Sequence, residues 1–205
     1  MSTRPSSNIR SIAALLLLAA LTVSPALAES QGPNSPGVIE TPGFTSPDEA
    51  KVEDDVFAYG NGTSGNGLSA KSFGFSIPEG AIINGILAQV KRKSNYSDES
   101  RYSCDGFVTL KLGEESSEDK ADYAPWPLES TWASYGGQND TWGKSWTPAQ
   151  VNDPDFTFTF MVSVFSWPPI AYAYIDHMKV TVYYTEATPP VTRLRNSNWR
   201  NATIR

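Results

Sequence analysis

The run 156–165, FTFTFMVSVF, constrains this chain more than any other stretch. Phe156, Phe158, Phe160, Val162 and Val164 recur at every second position, with Thr157, Thr159 and Ser163 between them. A period of two is that of a strand with one buried face, whereas a helix needs apolar residues every third or fourth position. The run 172–185 repeats the pattern with Met178, Val180, Val182 and Tyr184 in phase, and 107–112 alternates up to Gly113. The stretch 71–93 adds a strand pair. Phe73, Phe75 and Ile77 alternate, Pro78-Glu79-Gly80 supplies turn chemistry, and Ile86, Ala88 and Val90 share the next apolar face. Ile83 is out of phase with that face by one residue, and Asn84-Gly85 stands where a bulge absorbs the slip.

Shorter strand candidates lie at 56–59, 120–123 and 131–135. Thr147 followed by Pro148 and, three residues after the cap, Gln150 is a capping-box signature for one helical turn, which Asn152-Asp153-Pro154 stops. The sum is about eight strands with one short helical turn, an all-β pattern that points to an antiparallel β-sandwich of jelly-roll type. No internal repeat of fixed period is present in the sequence.

The chain opens with Arg4 and Arg10, an apolar run at 12–23 and the small-x-small triplet Ala26-Leu27-Ala28, the pattern of a secretory signal peptide. A membrane-spanning helix needs about 20 apolar residues, and this run is 12 long. The expected organisation is a signal peptide at 1–28, a Pro/Gly/Ser-rich leader at 29–51, a β-sandwich domain at 52–186 and a basic tail at 187–205, with regular structure beginning near Val52. The protein is expected to be secreted, extracellular or at the cell surface, with no transmembrane segment.

Charge is unevenly placed. All 22 acids lie between Glu29 and Glu186 against 10 bases, while Arg193, Arg195, Arg200 and Arg205 follow the last acid. An acidic body excludes nucleic acid as the natural partner, because phosphate contacts need clustered Lys and Arg. The split suits a tail that docks through Arg193, Arg195 and Arg200 on the acidic body of a neighbour, and equally a solvated end. The single cysteine, Cys104, rules out an intrachain disulfide and reads as a buried small hydrophobe.

Groups for catalysis are sparse. His177 is the sole histidine, and the adjacent Asp176 should face the other side of the strand, so a triad is not expected. One histidine and one cysteine are too few for a zinc site. Oxygen ligands for calcium are more plentiful, with Asp54 and Asp55 near the start and Asp119 and Asp122 in mid-chain as candidates, although neither cluster has EF-hand spacing. No other cofactor is indicated. Aromatic residues make up 12% of the chain, and Trp126, Trp132, Trp167, Tyr96 and Tyr102 are the candidates for exposed contacts with a ligand such as a glycan.

A resemblance covers about 54–185. Phe73-Gly74-Phe75-Ser76-Ile77-Pro78, Gly80-Ala81 with Ile83-Asn84-Gly85-Ile86, and Arg92-Lys93 open it. Trp126-Pro127, Tyr135-Gly136-Gly137, the pair Trp142 and Trp146, and Ile175-Asp176-His177-Met178 follow in order. Together they look like a β-sandwich module common in secreted bacterial proteins and in phage tail or virion proteins. The resemblance implies a non-enzymatic jelly-roll module used in structural or surface-binding proteins, with no agreed catalytic residues to carry over. The signal peptide favours a secreted or surface protein over a virion component. Two functions are expected from this: a structural or adhesive subunit that self-associates or joins other extracellular proteins in a filament, appendage or surface assembly, or a carbohydrate-binding module.

Overall fold

The slip expected at Asn84-Gly85 is present as a bulge. A computed structural model describes residues 28–61 and 66–187 of the chain. In it β5 (Ile82–Ser94) pairs antiparallel with β10 (Ala173–Thr185). Tyr183 faces Gly85 and Tyr184 faces Ile83, so Asn84 is the extra residue. The bulge keeps Ile83 in the core with Ile86, Ala88 and Val90, all buried. A Cβ on Gly85 would stand 2.2 Å from the Gly137 carbonyl oxygen, which only glycine avoids.

The remaining strands are β1 (Ala28–Asn34), β2 (Val38–Glu40), β3 (Ala58–Gly60), β4 (Gly67–Lys71), β6 (Tyr102–Leu112), β7 (Glu115–Ser116), β8 (Thr131–Gly136) and β9 (Thr157–Phe165). One sheet runs β1-β10-β5-β8, with β3 also paired to β10; the other runs β2-β4-β9-β6-β7. All pairings are antiparallel. Taking β1, β4, β5, β6, β7, β8, β9 and β10 as the first to eighth strands of the roll, the sheets read 1-8-3-6 and 2-7-4-5, which is jelly-roll winding. The expected fold class is therefore present. The inner faces meet through Phe158, Phe160, Val108, Leu110, Leu68, Ile86, Val90, Ile175, Met178 and Val180, none of them measurably exposed.

One polar group bridges the sheets inside this core. β6 carries a bulge at Gly106: Asp105 faces Val162 and Phe107 faces Met161. The extra residue reverses the parity, turning Asp105 inward while Phe107 stays outward. The fully buried Asp105 carboxylate accepts from the Trp126 indole Nε1 at 2.8 Å, the Tyr135 hydroxyl at 2.8 Å and the Asp122 backbone N–H at 2.9 Å, and faces the Arg92 guanidinium at 3.5 Å. Burial pushes the Tyr135 hydroxyl far above its ordinary pKa, so it stays a donor.

Several expectations are corrected. Regular structure is present well before Val52, from the first described residue: 28–34 adds strand β1 along β10, Val38–Glu40 pairs with β4, and Pro47–Ala50 forms a 3-10 turn against β10. The Gly and Pro residues that made this stretch look like a linker punctuate short edge strands. The 73–77 segment buries Phe73, Phe75 and Ile77 as its alternation requires, but it is not a strand. Side chains satisfy its backbone: Asn34 Nδ2 donates to the Phe73 carbonyl, Gln31 accepts from the Ser76 N–H, and Asn152 both accepts from and donates to Ile77. The stretch 120–123 forms no strand either. The helical turn is present as α1 (Pro148–Asn152) with the full capping box from Thr147 and Gln150. The signal segment up to residue 27 and Arg193, Arg195 and Arg200 lie outside the described residues.

Candidate functional site

The outward positions of β4, β9 and β6 form a groove of about 700 Å³ lined by Asn66, Phe107, Lys111, Thr159, Ser163 and Phe165, with Met161 in its floor. Register explains the assembly. Gly67, Met161 and Phe107 stand in one row across the three strands, Ser69, Thr159 and Thr109 in the next, and Lys71, Thr157 and Lys111 in the third. The glycine keeps the row open, since a Cβ there would lie 2.1 Å from the Met161 sulfur. Phe107 and Phe165 occupy the solvent-facing parity of their strands and are 37% and 50% exposed. Large aromatics on the polar face of a strand gain nothing for the core, and that is their signal as contact residues.

At one end of the groove Phe165 stacks on Tyr102, ring centroids 4.7 Å apart. The loops beyond are tied together: the Asn95 side chain accepts from the Tyr172 N–H at 2.7 Å, and Ser166 Oγ accepts from the Ala171 N–H at 2.9 Å. They present Trp167 and Ile170 to solvent. In the same β5–β6 connection Arg101 lies over the Tyr96 ring at 4.1 Å and pairs with Asp98. That guanidinium, with N–H groups of Ser100 and Arg101, holds the Asp98 carboxyl down at about 2.

Polar groups in this region are unsatisfied. Asn66 is 4% exposed, lines the groove, and its Nδ2 has no hydrogen-bond partner; Thr109 Oγ1, on the same face, has none either. A buried amide without an acceptor costs stability, so a ligand that brings one is favoured.

The outer face of the other sheet is closed in part by returning chain. The 35–59 segment covers part of it, and a bulge at Asp176, between the Ile175–Arg92 and His177–Lys91 pairs, brings a buried carboxylate to that side. Asp176 accepts from the Asp54 and Asp55 N–H groups and pairs with Lys91 at 2.8 Å. Lys91 also reaches Asp55 and Glu53, and these hydrogen bonds, Asp176 first, raise its pKa so that it remains charged. His177 Nε2 lies 2.8 Å from Ser35 Oγ, while its Nδ1 is buried without a partner. A serine does meet the histidine, but no carboxylate orients the ring, so the pair lacks the third member of a triad. Burial, then the Lys179 charge, lowers the His177 pKa. Beside it Phe57, Tyr59, Tyr172 and Tyr174 make a surface aromatic cluster with Lys93 over Phe57 at 4.2 Å.

A second concavity of about 410 Å³ beside β8 is lined by Arg92, Lys120, Asp122, Trp132 and Tyr135. Most of its polar groups are engaged, Tyr135 with Asp105, Lys120 with Asp140 and Asp122 with the Ala124 N–H. Arg92 keeps two unpaired nitrogens but already faces the Asp105 carboxylate and lies over Trp126.

The five aromatic candidates therefore divide. Tyr102 stacks on Phe165 at one end of the groove, Trp167 is exposed in the loop that follows Phe165, and Tyr96 lies under Arg101 in the β5–β6 connection. Trp132 sits on β8, edge-on to His177 and under Lys179. Trp126 is a correction: it is fully buried, its N–H taken by Asp105, because the loop before β8 folds inward onto Phe160. Phe107, Phe165, Asn66 and Lys111 were not among the candidates. Of the calcium candidates, Asp119 accepts from the Val108 and Ala121 N–H groups, Asp122 from Ala124, Asp54 from Val56, and Asp55 pairs with Lys91. Among the described residues no three His, Cys, Asp or Glu side chains are grouped to hold a metal ion. Cys104 is free and buried.

No protein-family model and no curated protein matches the sequence. Solved structures do. A chain described as "CBM4 structure and function" matches at 13% identity and a TM-score of 0.36, over 63% of this chain and 82% of that one. The N-terminal cellulose-binding domain from Cellulomonas fimi β-1,4-glucanase C matches at 14% identity and 0.41, over 80% and 99%. The CBM22-1–GH10 modules of Clostridium thermocellum endo-1,4-β-D-xylanase 10B, complexed with xylohexaose, match at 13% and 0.27, over 80% of this chain and 27% of that one. At these scores no residue role passes from them to this chain.

Proposed function

We propose that this protein is a non-catalytic carbohydrate-binding module that takes a glycan along the outer groove of β4, β9 and β6. The observation that carries this is the pairing of aromatic planes on the solvent parity of two strands, Phe107 and Phe165, with the buried, unpartnered amide of Asn66 in one groove. A sugar ring has an apolar C–H face that lies on an aromatic plane and an equatorial rim of hydroxyls that meets polar side chains. Sites for such ligands combine a mostly apolar lining with a few fixed polar groups. The reading rests on this geometry and not on the structural likenesses. Secretion belongs to the same proposal and rests on the signal pattern at 1–28; among the described residues no helix is long and apolar enough to cross a membrane. The alternative of a self-assembling subunit rests on tail residues outside the described ones, and no described contact favours it.

Affinity electrophoresis in gels cast with soluble plant and microbial polysaccharides tests the proposal. At least one polysaccharide should retard the wild-type protein, and Phe165→Ala should weaken that retardation, by about tenfold in affinity, while moving Tm by less than about 2 °C. Retardation that survives Phe165→Ala and Phe107→Ala together would move the site elsewhere. No retardation by any glycan would end the reading.

A further inference from the structure

We infer that the groove selects acidic sugars, with Lys111 as the residue that reads their negative charge. The inference rests on the glycan reading of the groove and names the class of glycan.

Among the described basic residues Lys51, Lys71, Lys91, Arg92, Arg101, Lys120 and Lys144 are each paired with at least one carboxylate. Lys93, Lys179 and Lys111 have no carboxylate within ion-pair distance: the first two lie over Phe57 and Trp132 at the other sheet, and Lys111 Nζ lies over the Phe107 ring at 5.7 Å in the groove. The contrast is sharpest within one row of the sheet. Lys71 and Lys111 flank Thr157 from either side, and Lys71 is tied down by Glu40 at 2.7 Å and by Asp155. Lys111 alone is left facing the groove.

The groove is also free of acids, in a body with 22 of them against 10 bases. Two other concavities of the described residues each contain a carboxylate, Asp122 beside β8 and Glu29 beside β1. An acid-free hollow in so acidic a protein is where an anionic ligand meets least repulsion. The free ammonium and the orphaned amide nitrogen in the groove agree in sign, while Thr109 Oγ1 can both donate and accept. Lys111 Nζ and Asn66 Nδ2 are donors only, and a carboxylate or sulfate oxygen is an acceptor only. A neutral hydroxyl would serve as well as a water; an ionised acceptor forms the stronger, charge-assisted bond. Phe107 beneath the ammonium leaves the sugar's apolar face a plane to rest on while its charged substituent reaches Lys111.

The test compares each acidic polymer with its own neutral form. Binding of the full chain to polygalacturonate, alginate and glucuronoxylan, each beside its carboxyl-reduced counterpart, would be followed by isothermal titration at low and at physiological salt, with carrageenan as the sulfate arm. The expected result is binding to at least one acidic polymer about tenfold tighter than to its reduced form, a preference that shrinks as salt rises. Lys111→Gln should erase the preference while changing affinity for the reduced form less than about twofold. Preference for carrageenan over the uronates would identify sulfate as the charge read and would still support the inference if Lys111→Gln removes it. Equal binding to acidic and reduced polymers, or a preference that survives Lys111→Gln, would overturn it while leaving glycan binding intact. Failure to bind every polymer would overturn both.

Discussion

The two outer faces of the sandwich are built from strands of the same kind and end in opposite states. Across β10 and β5 the chain returns over the sheet: Asp176, Lys91, Glu53 and Asp55 satisfy one another, and the backbone of 54–55 closes the carboxylate off. Across β4, β9 and β6 the described residues leave a groove that keeps two part-exposed phenylalanines, a lysine without a carboxylate partner and an amide nitrogen without an acceptor. On the first face the ion-pair network around Asp176 and Lys91 holds the fold, although His177 Nδ1 has no partner and Lys93 and Lys179 lie over aromatic rings rather than carboxylates. The second face, whose groups wait for partners, is poised to bind. A bulge places the polar residue in each sheet, outward at Asp176 on the first and inward at Asp105 on the second, where the groove keeps the ordinary strand parity.

The comparison predicts that substitutions on the closed face act on stability and substitutions on the open face act on binding. The largest effect is expected for Asp176→Ala. It leaves two backbone N–H groups without an acceptor and Lys91 without its shortest partner, and should cost about 2–3 kcal/mol in urea unfolding with glycan affinity unchanged per folded molecule. Next is Phe165→Ala, which should lower glycan affinity about tenfold, about 1.4 kcal/mol, and move Tm by less than about 2 °C. Asn66→Ala should weaken binding by about fivefold and leave stability within about 0.5 kcal/mol, because the amide nitrogen it removes has no acceptor in the free protein. A large loss of stability there would show that the amide is a structural group.

The smallest effect is a pH dependence. Burial and then Lys179 hold the folded-state pKa of His177 below its ordinary 6.5, with Lys91 acting in the same direction and Glu53 and Asp176 against it. As pH falls below 6.5 the unfolded chain takes up a proton that the folded chain excludes, so stability declines on acidification and is fully present above that value. His177→Gln should flatten the Tm profile in this window, which lies well above the range in which Asp98 titrates. An unchanged slope would mean that other groups set it.

Much of the fold was legible because alternation reports parity directly. The faces of β9, β10 and β5, the Asn84 slip and the Thr147 capping box all follow from local spacing. The first two edge strands were not legible, since β1 reads AESQGPN, polar residues paired on one side only, and its strand state comes from β10 rather than from its own pattern. Trp126 misled for a related reason. Flanking prolines mark a turn, yet its burial depends on Asp105, which faces inward only because of an unannounced bulge at Gly106. The groove residues left a trace: Phe165 and Phe107 stand on the polar parity of their strands, a signal visible in the sequence. That Lys111 is unpaired and Asn66 unsatisfied could not be read, because both facts depend on which chains fail to reach them.

The central claim is most directly tested by two-dimensional amide NMR of the labelled protein, titrated with an oligosaccharide cut from whichever polysaccharide binds. Shift changes should concentrate at Asn66, Phe107, Lys111, Thr159, Ser163 and Phe165, with the Asn66 side-chain amide among the largest. Changes centred instead on Tyr59, Tyr172 and Tyr174, the aromatic cluster of the closed face, would contradict the account.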